Sequence, residues 1–85
     1  MTMKLRNGVF IAEVEYGAAL LDEDSGQYWN LNPTGLLVVE TLLSGGTTDD
    51  AARVLADEYG IDPGSAAQDV GELVDQLCSA GLVDE

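Results

Sequence analysis

The chain has no histidine, a single cysteine and only three basic residues. Each scarcity closes off a class of chemistry. Without histidine, Ser-His-Asp and Cys-His catalysis are excluded. With Cys78 as the only thiol, no internal disulfide forms, and a zinc site would need carboxylates almost alone, a poor donor set for that ion. Lys4, Arg6 and Arg53 face sixteen acidic residues, so the formal net charge is −13. Phosphate backbones are held by clustered Lys and Arg, which argues against nucleic acid as a partner. No apolar run approaches the roughly 20 residues that span a bilayer. The opening "MTMKLRNGVF" lacks the long apolar stretch of a secretion signal. The expectation is a cytoplasmic protein with no membrane partner, in which Cys78 is a small core residue of an apolar helical stripe.

What is present suits one small globular domain. Eighty-five residues, 46% of them apolar, allow one modest core. A single domain over residues 1–85 is expected, with loose ends at about 1–7 and 84–85. Residues 9–31 read as strand. "VFIAEVE" is rich in β-branched and apolar residues, and "AALLDEDSGQYWNL" reads as two short strands joined at Asp24-Ser25-Gly26. Residues 32–81 read as three helices. Asn32-Pro33 and Asp62-Pro63 are cap-proline starts, and Thr47 or Thr48 opens the middle helix ahead of Asp49 and Asp50. Gly45-Gly46, Gly60 and Gly81 are stops. Leu36, Val39, Leu42 and Leu43 make the first stripe; Ala51, Leu55 and Tyr59 make the second. Ala66, Val70, Leu73, Val74 and Leu77 make the third. The predicted fold is α+β: a three-stranded antiparallel sheet followed by three helices. That β-β-β-α-α-α order has the element content of a winged helix-turn-helix with the sheet placed first.

The remaining motifs carry little chemistry. "DEDSGQ" resembles the start of a calcium loop, but Gln27 stands where the loop needs Gly and Pro33 where it needs Glu. A polar hairpin turn is the better reading. Gly45-Gly46 has no following Lys and is no phosphate loop. A chain this short is not expected to enclose a cleft that tunes a carboxylate pair. The chain is therefore read as a non-enzyme without cofactor or metal. Binding is what remains. A three-stranded sheet has edges, and "QYWNL" carries neither charge nor Pro to blunt one. An extended peptide can add there as a further strand.

Three stretches then become recognisable together: "YGAALLDEDSGQYWNLNPTG", "LLSGGTTDDAARVLADEYG" and "DVGELVDQLCSAGLV". In combination, over residues 8–83, they resemble the PqqD-like family. These are recognition elements for the leader segments of ribosomally made, modified peptides. The short form is most similar to the stand-alone leader-binding subunit of lasso-peptide biosynthesis. The resemblance implies a leader bound as an antiparallel strand on the third strand, in a groove flanked by the third helix. It also implies leaders that carry Tyr-x-x-Pro. The expected partners are a separate leader peptidase of the transglutaminase-like cysteine protease type and an ATP-dependent cyclase resembling asparagine synthetase. Carried onto this chain, the strand contributes Gln27, Tyr28, Trp29, Asn30 and Leu31, and the helix Ala66, Asp69, Val70, Leu73, Val74 and Leu77.

Bland readings stand beside these. Leu31 is expected in the core, Trp29 in the core, the groove wall or both, and Tyr28 on the open face of the sheet. Asp69 is a solvated helix residue or a polar partner of the leader. The third-helix stripe is too wide to face the core alone, and the sequence leaves open which members turn to the groove. The competing class is an acidic acyl or peptidyl carrier with Ser65, or less aptly Ser25, taking a phosphopantetheine arm. Its four-helix fold does not suit the β-rich first third.

Overall fold

The computed structural model describes residues 3–84. Its elements in chain order are β1 (Lys4–Leu5), β2 (Val9–Val14), β3 (Gly17–Asp22), β4 (Gln27–Leu31), α1 (Pro33–Leu43), α2 (Thr48–Tyr59), α3 (Pro63–Ser79) and β5 (Val83–Asp84). The fold is α+β, with a three-stranded antiparallel sheet in the order β2-β3-β4 followed by three helices. It is not the four-helix bundle that a carrier reading of Ser65 needs. The pairing of β1 with β5 has no local signature, since it joins the two ends of the chain. The ends read as loose, 1–7 and 84–85, lie partly outside the described residues. Within them Met3 is buried and Lys4 pairs with Asp84.

Local signals account for the boundaries. The Asn32 carboxamide oxygen accepts from the Gly35 N–H at 2.8 Å. Thr47 and Asp50 form a reciprocal capping box, and the Asp62 side chain accepts from the Gly64 and Ser65 N–H groups. Helix α3 closes in a Schellman motif, with Leu82 N–H bonded to the Leu77 carbonyl and Gly81 N–H to that of Cys78. Leu82 and Val83 thereby fold back into the core. Gly17, at φ +141°, opens β3 where a Cβ would lie 1.9 Å from the Leu31 carbonyl oxygen. Only glycine lets the hairpin approach the end of β4 so closely.

One face of the sheet packs on the helices. Val9, Leu20 and Leu31 meet Val39, Val70 and Leu77 in a single core. Helix α1 buries Val38, Val39 and Leu42, so its inward stripe sits slightly round from the one read in the sequence, leaving Leu36 and Leu43 half-buried. Tyr59, placed with Ala51 and Leu55, is 47% exposed at the end of α2. Cys78 also departs from expectation: it is exposed. At about 100° per residue it lies roughly 80° round α3 from Val70, just past the edge of the buried stripe.

Candidate functional site

Strand β4 is an edge of the sheet, with β3 on one side only. The hydrogen-bond phase of the ladder determines what that edge offers. Glu23 N–H bonds the Gly8 carbonyl across the β2–β3 pair, continuing the register Val9↔Asp22. Backbone groups alternate sides along a strand, so Leu21 and Ala19 bond toward β2 while Asp22, Leu20 and Ala18 bond toward β4. Their partners are Gln27, Trp29 and Leu31. The N–H and C=O groups of Tyr28 and Asn30 therefore point out of the sheet, free to receive another strand.

Helix α3 lies across from that edge. A cleft of about 520 Å³ is lined by Trp29, Asn30, Leu31 and Asn32 on one side and Leu73 and Gln76 on the other. Val14 and Tyr16, at the tip of the β2–β3 hairpin, close its near end. The cleft continues past Asn32 and Gly35 into a smaller compartment of about 270 Å³. There Val38, Leu55, Ile61 and Leu73 give an apolar floor, and Asp69 and Glu72 an acidic rim. No basic residue lines either compartment.

The far end of β4 is held by ion pairing. Asp22, nearly buried opposite Gln27, receives the Arg6 guanidinium at 2.6 Å, the Ser25 hydroxyl at 3.0 Å and the Asp24 N–H at 3.1 Å. Burial pushes its carboxyl up, but these bonds and the Arg6 charge outweigh that and hold the pKa below the ordinary 3.8. Arg6 also donates to the Gly81 carbonyl at the end of α3. One side chain thus ties the start of β4, through its turn, to the C-terminal end of α3. The residues that suggested a calcium loop are instead a hairpin clasp, and the described residues contain no cluster of three potential metal ligands.

The site residues expected from the sequence divide clearly. Trp29, Asn30, Leu31, Asp69 and Leu73 come together around the cleft. Trp29 is half-buried against the core as well as lining the cleft, and Leu31 is buried. Tyr28 adjoins the cleft only through its outward backbone, its ring being 66% exposed on the opposite face of the sheet. The Gln27 side chain is exposed at the strand's start. Ala66, Val70, Val74 and Leu77 are core and line neither compartment. With Val70 as zero, Ala66, Val74 and Leu77 all fall within about 40° on the helix, whereas Leu73, Asp69 and Gln76 turn roughly 60–120° to one side. That second stripe faces the cleft. Gln76 and Glu72 were missed, although each stands three residues after a chosen residue, Leu73 and Asp69. Val14, Tyr16 and Gly35 were missed too, and no local pattern brings the hairpin tip to the cleft.

Fold and cleft together define the class: a small winged helix-turn-helix-like domain whose open sheet edge faces its third helix. The chain belongs to the family described as coenzyme PQQ synthesis protein D (PqqD), whose model it matches over residues 17–83. Among solved structures it is similar to a lasso peptide synthetase B1 complexed with the leader peptide. The identity is 36%, all of both chains is covered and the TM-score is 0.93. TbiB1, in complex with the TbiA(beta) leader peptide, shares the fold at 21% identity and a TM-score of 0.85, over 95% of this chain and 94% of that one. No curated protein matches the chain. Among the described residues no helix is long and apolar enough to cross a membrane.

Proposed function

We propose that this chain is a non-catalytic recognition protein of lasso-peptide biosynthesis, acting in the cytoplasm. It binds the leader segment of a ribosomally made precursor by strand addition and presents it to a separate leader peptidase, of the transglutaminase-like cysteine protease type, and to an asparagine-synthetase-like cyclase. The observation that carries the reading is the open edge of β4 beside an apolar cleft. A strand laid antiparallel on Tyr28 and Asn30 gains up to four backbone hydrogen bonds, which are indifferent to sequence. Its alternate side chains turn toward Trp29, Leu31 and Leu73, which gives selectivity. The apolar floor at Val38, Leu55 and Ile61 suits an aromatic or Pro anchor of the leader. The resemblance to a lasso peptide synthetase B1 complexed with the leader peptide supports this choice of ligand.

The test is titration of a fluorescently labelled leader, taken from the precursor peptide made with this protein, against the purified chain. Saturable one-to-one binding is expected, competed by unlabelled leader and not by the remainder of the precursor. Absence of binding at high micromolar protein refutes the reading.

A further inference from the structure

Two helices carry a carboxylate at the end where it is least welcome. Glu40 lies in the last turn of α1 and Glu58 in the last turn of α2. The carbonyl ends of those helices already repel negative charge, and neither last turn holds a basic residue. Glu13 and Glu15, at the tip of the β2–β3 hairpin, line with them a groove of about 440 Å³. All four side chains are exposed, and no basic residue lines the groove. Among the described residues Arg6 pairs with Asp22 and Arg53 with Asp50, so neither arginine answers this rim. The groove's walls are apolar. Leu36 and Leu37 are half-buried in it, while Val14 and Tyr59 leave 55% and 47% of their surface open to water. Such a groove suits a lysine or arginine side chain, whose methylene stem packs on the walls while its charged head reaches the rim. Tyr59 adds a ring on which a cation can rest.

The groove's position identifies the occupant. Val14 borders both the groove and the leader cleft. Gly17 and Pro33 of the groove are chain neighbours of Ala18 and Asn32 of the cleft. The groove therefore opens at the Leu31 end of β4. A leader antiparallel to β4 has its N-terminal end there, so the residues upstream of its paired segment emerge beside the hairpin tip. A leader is the N-terminal segment of a ribosomally made chain, and those upstream residues end in an α-ammonium group. Positive charge is thus delivered to the place where four carboxylates lack a cation. A second copy of this chain, at −13, would instead bring like charges together.

Resting on the function proposed above, we infer that the groove between the β2–β3 hairpin tip and the ends of α1 and α2 receives the positively charged N-terminal residues of the precursor, upstream of the segment that pairs with β4. Backbone pairing alone permits a strand to slip by two residues without turning its side chains over. A charge held at the entry opposes that slip, so the groove sets register while the cleft supplies contact.

The test compares two labelled peptides on the whole chain. One is the precursor's leader with its own free N-terminus. The other is the same leader, N-acetylated, with every Lys and Arg upstream of the pairing segment replaced by Gln. Both are titrated against wild type, against Glu40→Gln with Glu58→Gln, and against a control, Glu23→Gln with Asp75→Asn, which removes the same charge away from the groove. At about 0.05 M salt wild type is expected to bind the charged leader about tenfold more tightly, mainly through faster association, and the gap should close to within about twofold at 0.5 M. The groove variant should keep its affinity for the neutral leader and favour the charged one by no more than about threefold, while the control keeps the wild-type preference. Thermal melting should find the groove variant at least as stable as wild type, since two unfavourable charges have gone. Should it melt early, the single substitutions decide the matter, each losing part of the preference. Wild type binding the two peptides alike overturns the inference. So does a groove variant whose preference matches the control's, the result expected if the groove seats a basic partner protein instead. Loss of the neutral leader by a folded groove variant overturns it too, because the groove would then belong to the pairing site. A wild-type chain that binds neither peptide refutes the proposed function, and the inference with it; one that binds both alike refutes the inference alone.

Discussion

Trp29 stands where the core and the cleft meet, half-buried and packed against the buried cluster on the same face as Leu31. Its exposed part is the aromatic surface that β4 turns into the cleft. Covering a large side chain contributes about 1.5–3 kcal/mol when burial is complete, and part of Trp29 is already covered. Trp29→Ala is expected to weaken leader binding by about one to two decades, at roughly 1.4 kcal/mol per decade. Thermal melting beside the titration separates the two roles. A variant that melts early yet binds normally in the cold makes Trp29 purely structural. Asp22 gives a second test at this scale. Its folded pKa lies below its unfolded value, so its stabilising contribution is complete above the ordinary 3.8 and is lost as pH falls through the lower folded value. Wild type should therefore lose stability on acidification below about pH 4, and Asp22→Asn should be less stable at neutral pH with a flatter acid limb. Denaturant midpoints at a series of pH values would show it; parallel curves for the two proteins would remove Asp22 from the clasp.

At the scale of elements, the phase of the β3–β4 ladder makes a prediction that side-chain reasoning cannot. The Asn30 N–H faces outward and contributes nothing to the fold, so proline there leaves the internal ladder whole. It also removes one donor and puts a ring at the receiving edge. Asn30→Pro is expected to melt within a few degrees of wild type and to bind leader at least tenfold more weakly. Trp29→Pro, which cuts an inward bond to Leu20, should lose the fold instead. Hydrogen exchange adds a check without mutation. Leader should slow exchange at Tyr28 and Asn30, while Trp29 and Leu31 are slow beforehand. Protection confined to β2 would place the leader on the wrong edge.

At the scale of the whole molecule, the charge of −13 is spread widely and not concentrated in the cleft, where Asp69 and Glu72 supply the acidic groups of the inner compartment. A field of this kind speeds the approach of a basic leader more than it holds one in place. Association rates should fall as salt rises from 0.05 to about 0.5 M, where screening shortens the reach of the field below roughly 10 Å. Dissociation should change little, because apolar contacts and backbone bonds are screened weakly. Stopped-flow traces across that range would reveal the split, and a salt effect carried mainly by dissociation would contradict it.

The three-stranded sheet followed by three helices, the start of each helix and the stops at Gly60 and Gly81 were legible in the sequence, whereas the short strands β1 and β5 were not. Each helix start is written within a few residues: Asn32 with Gly35, Thr47 with Asp50, Asp62 with Pro63. The edge strand "QYWNL" was legible for the same reason, since pattern and turn chemistry are local. Membership of the cleft was not. Val70 and Leu73 look alike in a helical stripe, yet about 60° of rotation puts one in the core and the other against a ligand, and only packing against α2 and the sheet sets that rotation. Val14 and Tyr16 reach the cleft through the path of a hairpin, and Lys4–Leu5 meets Val83–Asp84 across nearly the whole chain. Local sequence thus determined which elements form and where they stop. Long-range packing decided which faces they show one another, because burial rewards the whole assembly and not any one segment.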